Sequence, residues 1–253
     1  MNLFKSKDGI YKSVVCLAPA LNVREEKYLD LIDELRRDSN YVVFVDVNNF
    51  DINYKYTLEK ISNNFFVSYS QAKKIKENNP KAPIYFLGFS FGALIGLYFL
   101  NKYFDEIKFD KIVMVAPALS FRLIPNLSRN ISSLPFNFSI TSFTPKDYRV
   151  FNKIPLSVYK IISDLNNEIK NNKFNKLNFP VKIFISSKDE VISHEKIGNI
   201  ISKYKLTNWN IIKIKNEKEN GLRDFYHLIV DKNSLSETDW SIFTNEIKEF
   251  LNY

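Results

Sequence analysis

The sequence predicts an α/β protein, a mostly parallel sheet with helices on both faces. Short apolar runs that read as buried strands alternate along the chain with longer segments whose apolar residues recur at spacings of three and four. This strand, helix, strand, helix order repeats along most of the chain, as a parallel sheet with crossover helices requires. The chain is also of a suitable size and make-up: 253 residues, 45% hydrophobic and 25% charged, suit one large folded domain, with or without an insertion, and exclude disorder.

Val14 to Leu17 is the first buried strand, ended by Pro19, and Glu25 to Arg37 follows as a helix with Tyr28, Leu31, Ile32 and Leu35 on one face. Tyr41 to Val47 is the second strand. After a loop, Leu58, Ile61, Phe65, Tyr69, Ala72 and Ile75 mark a long helix closing at Asn78, Asn79 and Pro80. Ile84 to Leu87 is the third strand, and from Phe91 the run is small and apolar enough for a buried helix. Ile112 to Ala116 is the fourth strand, stopped by Pro117. Val181 to Ile185 and Asn210 to Ile214 are the fifth and sixth, separated by a helix from about Glu195 to Tyr204. A last helix, about Asp239 to Leu251, places Trp240, Phe243, Ile247 and Phe250 on one face.

Residues 118–178 break this rhythm. They show no strand pattern, are rich in Phe and Tyr, and are punctuated by Pro125, Pro135, Pro145 and Pro155, which suggests short helices and turns. A stretch of that length inside a compact domain reads as a functional loop or small subdomain. It also holds nine basic residues (Arg122, Arg129, Lys146, Arg149, Lys153, Lys160, Lys170, Lys173, Lys176) against three acidic ones (Asp147, Asp164, Glu168), a surplus of six within a whole-chain charge of +8.

That charge and the pI near 9.2 raise nucleic acid, anionic lipid or acidic substrates as partners. No zinc-finger spacing, RNP-like strand or dense basic run supports nucleic acid. The N-terminus lacks the apolar run of a signal peptide and no stretch is long enough to cross a bilayer, so the expected location is cytoplasmic. Cys16 is the single cysteine, within a buried strand, where a structural thiol is expected; no cysteine cluster can form, and two histidines limit any His-rich metal site and disfavour metal catalysis, with a carboxylate site left open.

The chemistry gathers around Gly88-Phe89-Ser90-Phe91-Gly92. Two of the chain's six glycines flank Ser90 at minus two and plus two, where a sharp strand-to-helix turn leaves no room for side chains. Such a turn raises the Ser90 hydroxyl above the sheet edge and offers the Phe91 N–H to a developing oxyanion. A serine needs a base, and His194 and His227 are the two histidines. His194 falls where a helix begins, and a surface or capping role suits it. His227 lies in a loop-rich stretch after the last strand. An acid must orient the base: Asp189 follows the fifth strand, with Glu190 adjacent as a substitute, while Asp46 and Asp51 precede the serine and fit less well.

This G-x-S-x-G between strand and helix, and the chain order Ser90, Asp189, His227, resemble the α/β-hydrolase family from about residue 12 to the end. The resemblance implies a core of 1–117 and 179–253 with 118–178 inserted as a helical cap. It implies Ser90 as nucleophile, His227 as base, Asp189 as its orienting acid, and no cofactor or metal. The oxyanion would be bound by Phe91 and by a donor after the first central strand. Many members carry His-Gly there; this chain has Leu17-Ala18-Pro19-Ala20-Leu21-Asn22, where Pro19 has no N–H and Ala20 or Leu21 can donate. The expected substrate is a small-molecule acyl ester with an apolar acyl group, as in carboxylesterases and monoacylglycerol or lysophospholipid lipases. The basic, aromatic cap suits an anionic amphiphile or peripheral membrane contact. A thioesterase or acyltransferase on the same triad, and a non-catalytic binding protein of the same fold, are the alternatives.

Overall fold

The computed structural model describes residues 2–48, 58–122, 139–171, 174–216 and 225–252. Its centre is a seven-stranded sheet of β1 (Asn2–Phe4), β2 (Ser13–Ala18), β3 (Asn40–Phe44), β4 (Ile84–Phe89), β5 (Lys111–Val115), β8 (Val181–Ser186) and β9 (Trp209–Ile214), in the order β1-β3-β2-β4-β5-β8-β9. All neighbours pair in parallel except β1, which runs antiparallel to β3 at the edge. The antiparallel edge strand carries no sequence signal, being three residues long with Asn2 and Leu3 exposed.

Alternate residues of each central strand feed two separate cores. Val14, Cys16 and Ala18 of β2, Ile84 and Phe86 of β4, and Ile112 and Met114 of β5 pack on one face. Val15, Leu17, Tyr85, Leu87, Val113 and Val115 pack on the other. Both faces are covered, which is why these strands read as unbroken apolar runs. The first face takes α2 (Leu58–Glu77), α3 (Phe91–Lys102), α4 (Leu156–Asn171) and α5 (His194–Tyr204). The second takes α1 (Leu29–Arg37), entered through a 3-10 turn at Glu25–Tyr28, and α6 (Glu237–Asn252). Phe91 through Leu100 of α3 are all buried, so this helix has no polar face and forms the middle of its layer.

The strand order reverses between β2 and β4: the chain leaves β2 for β3 on one side and returns to β4 on the other. Ala18 lies beside Gly88 in the register, so the carboxyl ends of these two strands stand together. Open α/β sheets form their ligand crevice at such a point, because the loops there diverge to opposite faces. β3 stops at Phe44, short of the expected Val47. Val45 N–H still donates to Leu17 O at 2.8 Å, and β2 ends at Ala18 just before Pro19.

Residues 118–178 differ from the expected helical cap in two respects. Ser139–Thr141 (β6) and Lys153–Pro155 (β7) form an antiparallel pair, with strands too short to show an alternation in the sequence. Pro155, expected to break the chain into short pieces, instead precedes the sixteen-residue α4, since a proline is tolerated where a helix begins. Val158, Ile162, Leu165 and Ile169 of α4 belong to the first core, and α4 packs beside α3. Residues 123–138, which carry Pro125, Arg129 and Pro135, lie outside the described residues. No helix among the described residues is long and apolar enough to cross a membrane.

The same segment therefore contains both core and surface, and truncation separates them. Leu165→Ala, at a side chain 1% exposed, is expected to lower the unfolding free energy by about 2–5 kcal/mol. Phe143→Ala, at a side chain 78% exposed, is expected to change it by no more than about 0.5 kcal/mol, both read by urea denaturation.

Candidate active site

Ser90 stands between β4 and α3 with φ 46° and ψ −107°, a strained conformation for a residue with a side chain. Its backbone is held on three sides: the Ser90 N–H donates to Val115 O at 2.8 Å, and Ser90 O accepts from Ala118 N–H at 3.1 Å and Leu94 N–H at 3.2 Å. Both flanking glycines are sterically required. A Cβ on Gly88 would lie 2.6 Å from Ala93 Cα, and one on Gly92 would lie 2.4 Å from Ala18 O and 2.5 Å from Pro19 O. The second approach seats the first turn of α3 directly on the loop that leaves β2.

The three polar residues expected to work together meet. His227 Nε2 is 2.9 Å from Ser90 Oγ, and His227 Nδ1 is 2.9 Å from Asp189 Oδ2. Asp189 is wholly buried after β8, and its other oxygen accepts the N–H groups of Val191 at 2.8 Å and Ile192 at 2.7 Å. The carboxylate is thus bonded on both oxygens and cannot rotate without loss. Glu190 does not reach the imidazole ring; its Oε2 accepts the backbone N–H of His227 at 3.0 Å. Burial alone would lower the His227 pKa, but the Asp189 charge, its hydrogen bond and the Glu190 charge outweigh it, so the pKa lies above the ordinary value.

The loop after β2 narrows the choice of second oxyanion donor. Ala20 N–H donates to the Tyr28 hydroxyl at 2.7 Å, so of the two expected donors Ala20 is engaged. Burial pushes the Tyr28 phenol above its ordinary pKa and keeps it a neutral acceptor. Leu21 N–H has no acceptor among the described residues. Phe91 N–H, at the first position of α3, is one of the donors a helix start leaves unpaired. Leu21 is flanked by fixed neighbours: Asn48 Nδ2 donates to Ala20 O at 3.0 Å and Asn48 Oδ1 accepts Asn22 N–H at 2.7 Å.

The remaining candidates fall elsewhere. Asp46 Oδ1 accepts the Asn48 N–H at 3.1 Å, which makes it a support for this loop. Asp51 lies outside the described residues. His194 begins α5 with its Nε2 3.5 Å from Glu195 Oε1, while Ser193 caps the helix by accepting Lys196 N–H. Cys16 is buried in the first core, and burial pushes its thiol up to about 12. Asn22, Tyr28 and Asn48 carried no functional signal in the sequence; the tie between Asn48 and the residues around Leu21 spans 26 to 28 positions.

No family model matches the sequence, and no curated protein matches it. Solved structures do resemble the fold. A soluble variant of the monoglyceride lipase of Saccharomyces cerevisiae, in complex with a substrate analog, superimposes with a TM-score of 0.77 at 11% identity over 98% of this chain and 89% of that one. The monoacylglycerol lipase of Paleococcus ferrophilus gives 0.67 at 17% identity over 99% and 98%. A thermostable carboxyl esterase from Bacillus coagulans, in complex with glycerol, gives 0.61 at 12% identity over 98% and 93%. At such identities the likeness is one of fold, and the chain has the α/β-hydrolase fold.

The contact at Gly92 can be tested directly. Gly92→Ala forces a methyl group against two carbonyl oxygens, and such overpacking is expected to cost about 1–3 kcal/mol of stability, seen as a lower denaturation midpoint at unchanged m-value.

Proposed function

We propose that this protein is a serine hydrolase of carboxylic esters that works through an acyl-enzyme. The observation that carries the proposal is the unbroken chain from Ser90 Oγ through the His227 ring to the buried Asp189 carboxylate, 2.9 Å at each link, on a strained strand-to-helix turn.

In this reading Ser90 Oγ attacks the ester carbonyl carbon while His227 Nε2 takes its proton. Asp189 holds the proton on Nδ1, so that Nε2 is free to act as the base, and it stabilises the imidazolium that forms. The carbonyl oxygen becomes an oxyanion bound by the N–H groups of Phe91 and Leu21. Collapse breaks the bond to the alcohol, which leaves with the proton from His227. Water then gives its proton to His227, attacks the acyl-enzyme and releases the carboxylic acid, restoring Ser90. No step needs a metal or cofactor.

The substrate is an ester with an apolar acyl group. Leu21, Phe121 and Val191 follow the carboxyl ends of β2, β5 and β8 and remain part-exposed against the first core, an apolar surface at the edge of the sheet where Ser90 stands. The solved structures of like fold include monoglyceride lipases and a carboxyl esterase, which agrees with that class. Of the segment 118–178 expected as a cap, α4 packs in the first core beside α3.

A fluorophosphonate probe, which reacts with an activated serine, is expected to label the wild type and not Ser90→Ala, with loss of p-nitrophenyl ester hydrolysis in Ser90→Ala and His227→Ala and most activity kept in His194→Ala. Asp189→Asn is expected to lower kcat by about 10⁴, as in a well-studied triad where the wrong tautomer results. A folded wild type that refuses the probe would sink the proposal.

The pH profile gives a further check. As base, His227 must be neutral, and its pKa lies above the ordinary value of about 6.5, so the acid limb of kcat/KM is expected to have its midpoint above about 6.5. Glu190→Gln removes one of the charges that favour the imidazolium and is expected to move that midpoint to lower pH; an unmoved or raised midpoint would contradict the electrostatic account.

A further inference from the structure

We propose that Asn22 is a positioning residue: it fixes the Leu21 N–H as an oxyanion donor and makes its placement depend on the strap of residues 142–151. The inference rests on the serine-hydrolase reading above. Asn22 is 1% exposed, follows Leu21, and sits at φ 59°, in the left-handed region that Asn tolerates better than most residues. Every hydrogen-bonding group it has is engaged. Its N–H donates to Asn48 Oδ1 at 2.7 Å and its backbone O accepts Val150 N–H at 3.2 Å. Its Nδ2 donates to Ser142 Oγ and to Phe151 O, each at 2.8 Å, and its Oδ1 accepts Phe151 N–H at 2.8 Å.

The side-chain amide of Asn22 thus pairs with the N–H and C=O of Phe151 as a second peptide would, which only a carboxamide of this length can do from that backbone position. The pairing continues along the chain: Val23 bridges Arg149, Arg24 N–H donates to Tyr148 O at 2.8 Å, and Arg24 Nε donates to Arg149 O at 2.7 Å. On the other side of Leu21, Ala20 is held by Tyr28 and Asn48. A peptide N–H fixed at both neighbours needs no reorganisation when the oxyanion forms, and that is the source of its catalytic value. Half of this fixation comes from the strap, more than a hundred residues away in sequence.

The test compares Asn22→Gly, which keeps the left-handed backbone accessible but removes the clasp, with Ser142→Ala, which removes one of its three side-chain bonds. Active sites are counted by fluorophosphonate labelling, and folding is followed by thermal denaturation. For Asn22→Gly the expected result is a fall in kcat of about 10- to 100-fold on a short p-nitrophenyl ester with KM little changed. Affinity for a trifluoromethyl ketone, which forms a tetrahedral adduct on the serine, should fall by the same factor. Ser142→Ala should fall in the same direction and less far. A purely structural role would lower the unfolding temperature while kcat per labelled site and ketone affinity stay unchanged, and that result overturns the inference. If Asn22→Gly does not fold, unchanged kcat and ketone affinity in Ser142→Ala overturn it instead. A wild type inert to the probe and to esters would remove the hydrolase reading and this inference together, whereas a reactive wild type with an unaltered Asn22→Gly removes this inference alone.

Discussion

The arrangement depends on one close approach, that of the first turn of α3 to the loop leaving β2. Gly92 lies against the carbonyls of Ala18 and Pro19 with no space for a Cβ, and Gly88 lies equally close to the backbone of Ala93. Because α3 can sit that low, Ser90 must turn sharply out of β4 into an unfavourable φ and ψ, at a cost on the order of 1–3 kcal/mol. Three backbone hydrogen bonds and a helix buried on all sides hold the turn against that strain. The same approach seats the start of α3 against the loop that leaves β2, the neighbouring parallel strand, at the switch in strand order.

Where a structural requirement is local in sequence, it was legible there. The glycines around Ser90 report a backbone requirement within five residues, and Asp189 stands at the end of a strand whose apolar run is unmistakable. The central strands and most helices were legible for a related reason: burial on both faces writes itself as uninterrupted or periodic apolar sequence. What was not legible is polar and distant. Asn22, Asn48 and Tyr28 look like loop or helix-face residues, and their roles come from partners 8 to 129 positions away. The α4 helix was hidden by its surroundings, since a proline-rich, irregular stretch obscured a periodicity that Val158, Ile162, Leu165 and Ile169 do possess.

Asp189 and Glu190 show how adjacent carboxylates acquire different work. Asp189 points inward and is fully buried, which would be costly for an unpaired charge; two backbone N–H groups and the His227 ring satisfy it. Glu190 points outward and holds the backbone of the same histidine. One residue holds the ring, the other holds the backbone that carries it, and both charges favour the imidazolium.

The spacing of the sheet explains why a histidine that follows yet another strand stands between Ser90 and Asp189. Ser90 follows β4 and Asp189 follows β8, and β5 lies between them. Neighbouring strands are about 4.8 Å apart, so the ends of β4 and β8 are separated by roughly twice that, too far for a serine hydroxyl and a short carboxylate to meet. An imidazole, with a nitrogen at each end, spans the gap with one hydrogen bond on either side. His227 follows β9 in the chain, and Glu190, beyond β8, accepts its N–H. The histidine thus lies far from the serine in sequence because the sheet sets the distance that its ring has to bridge.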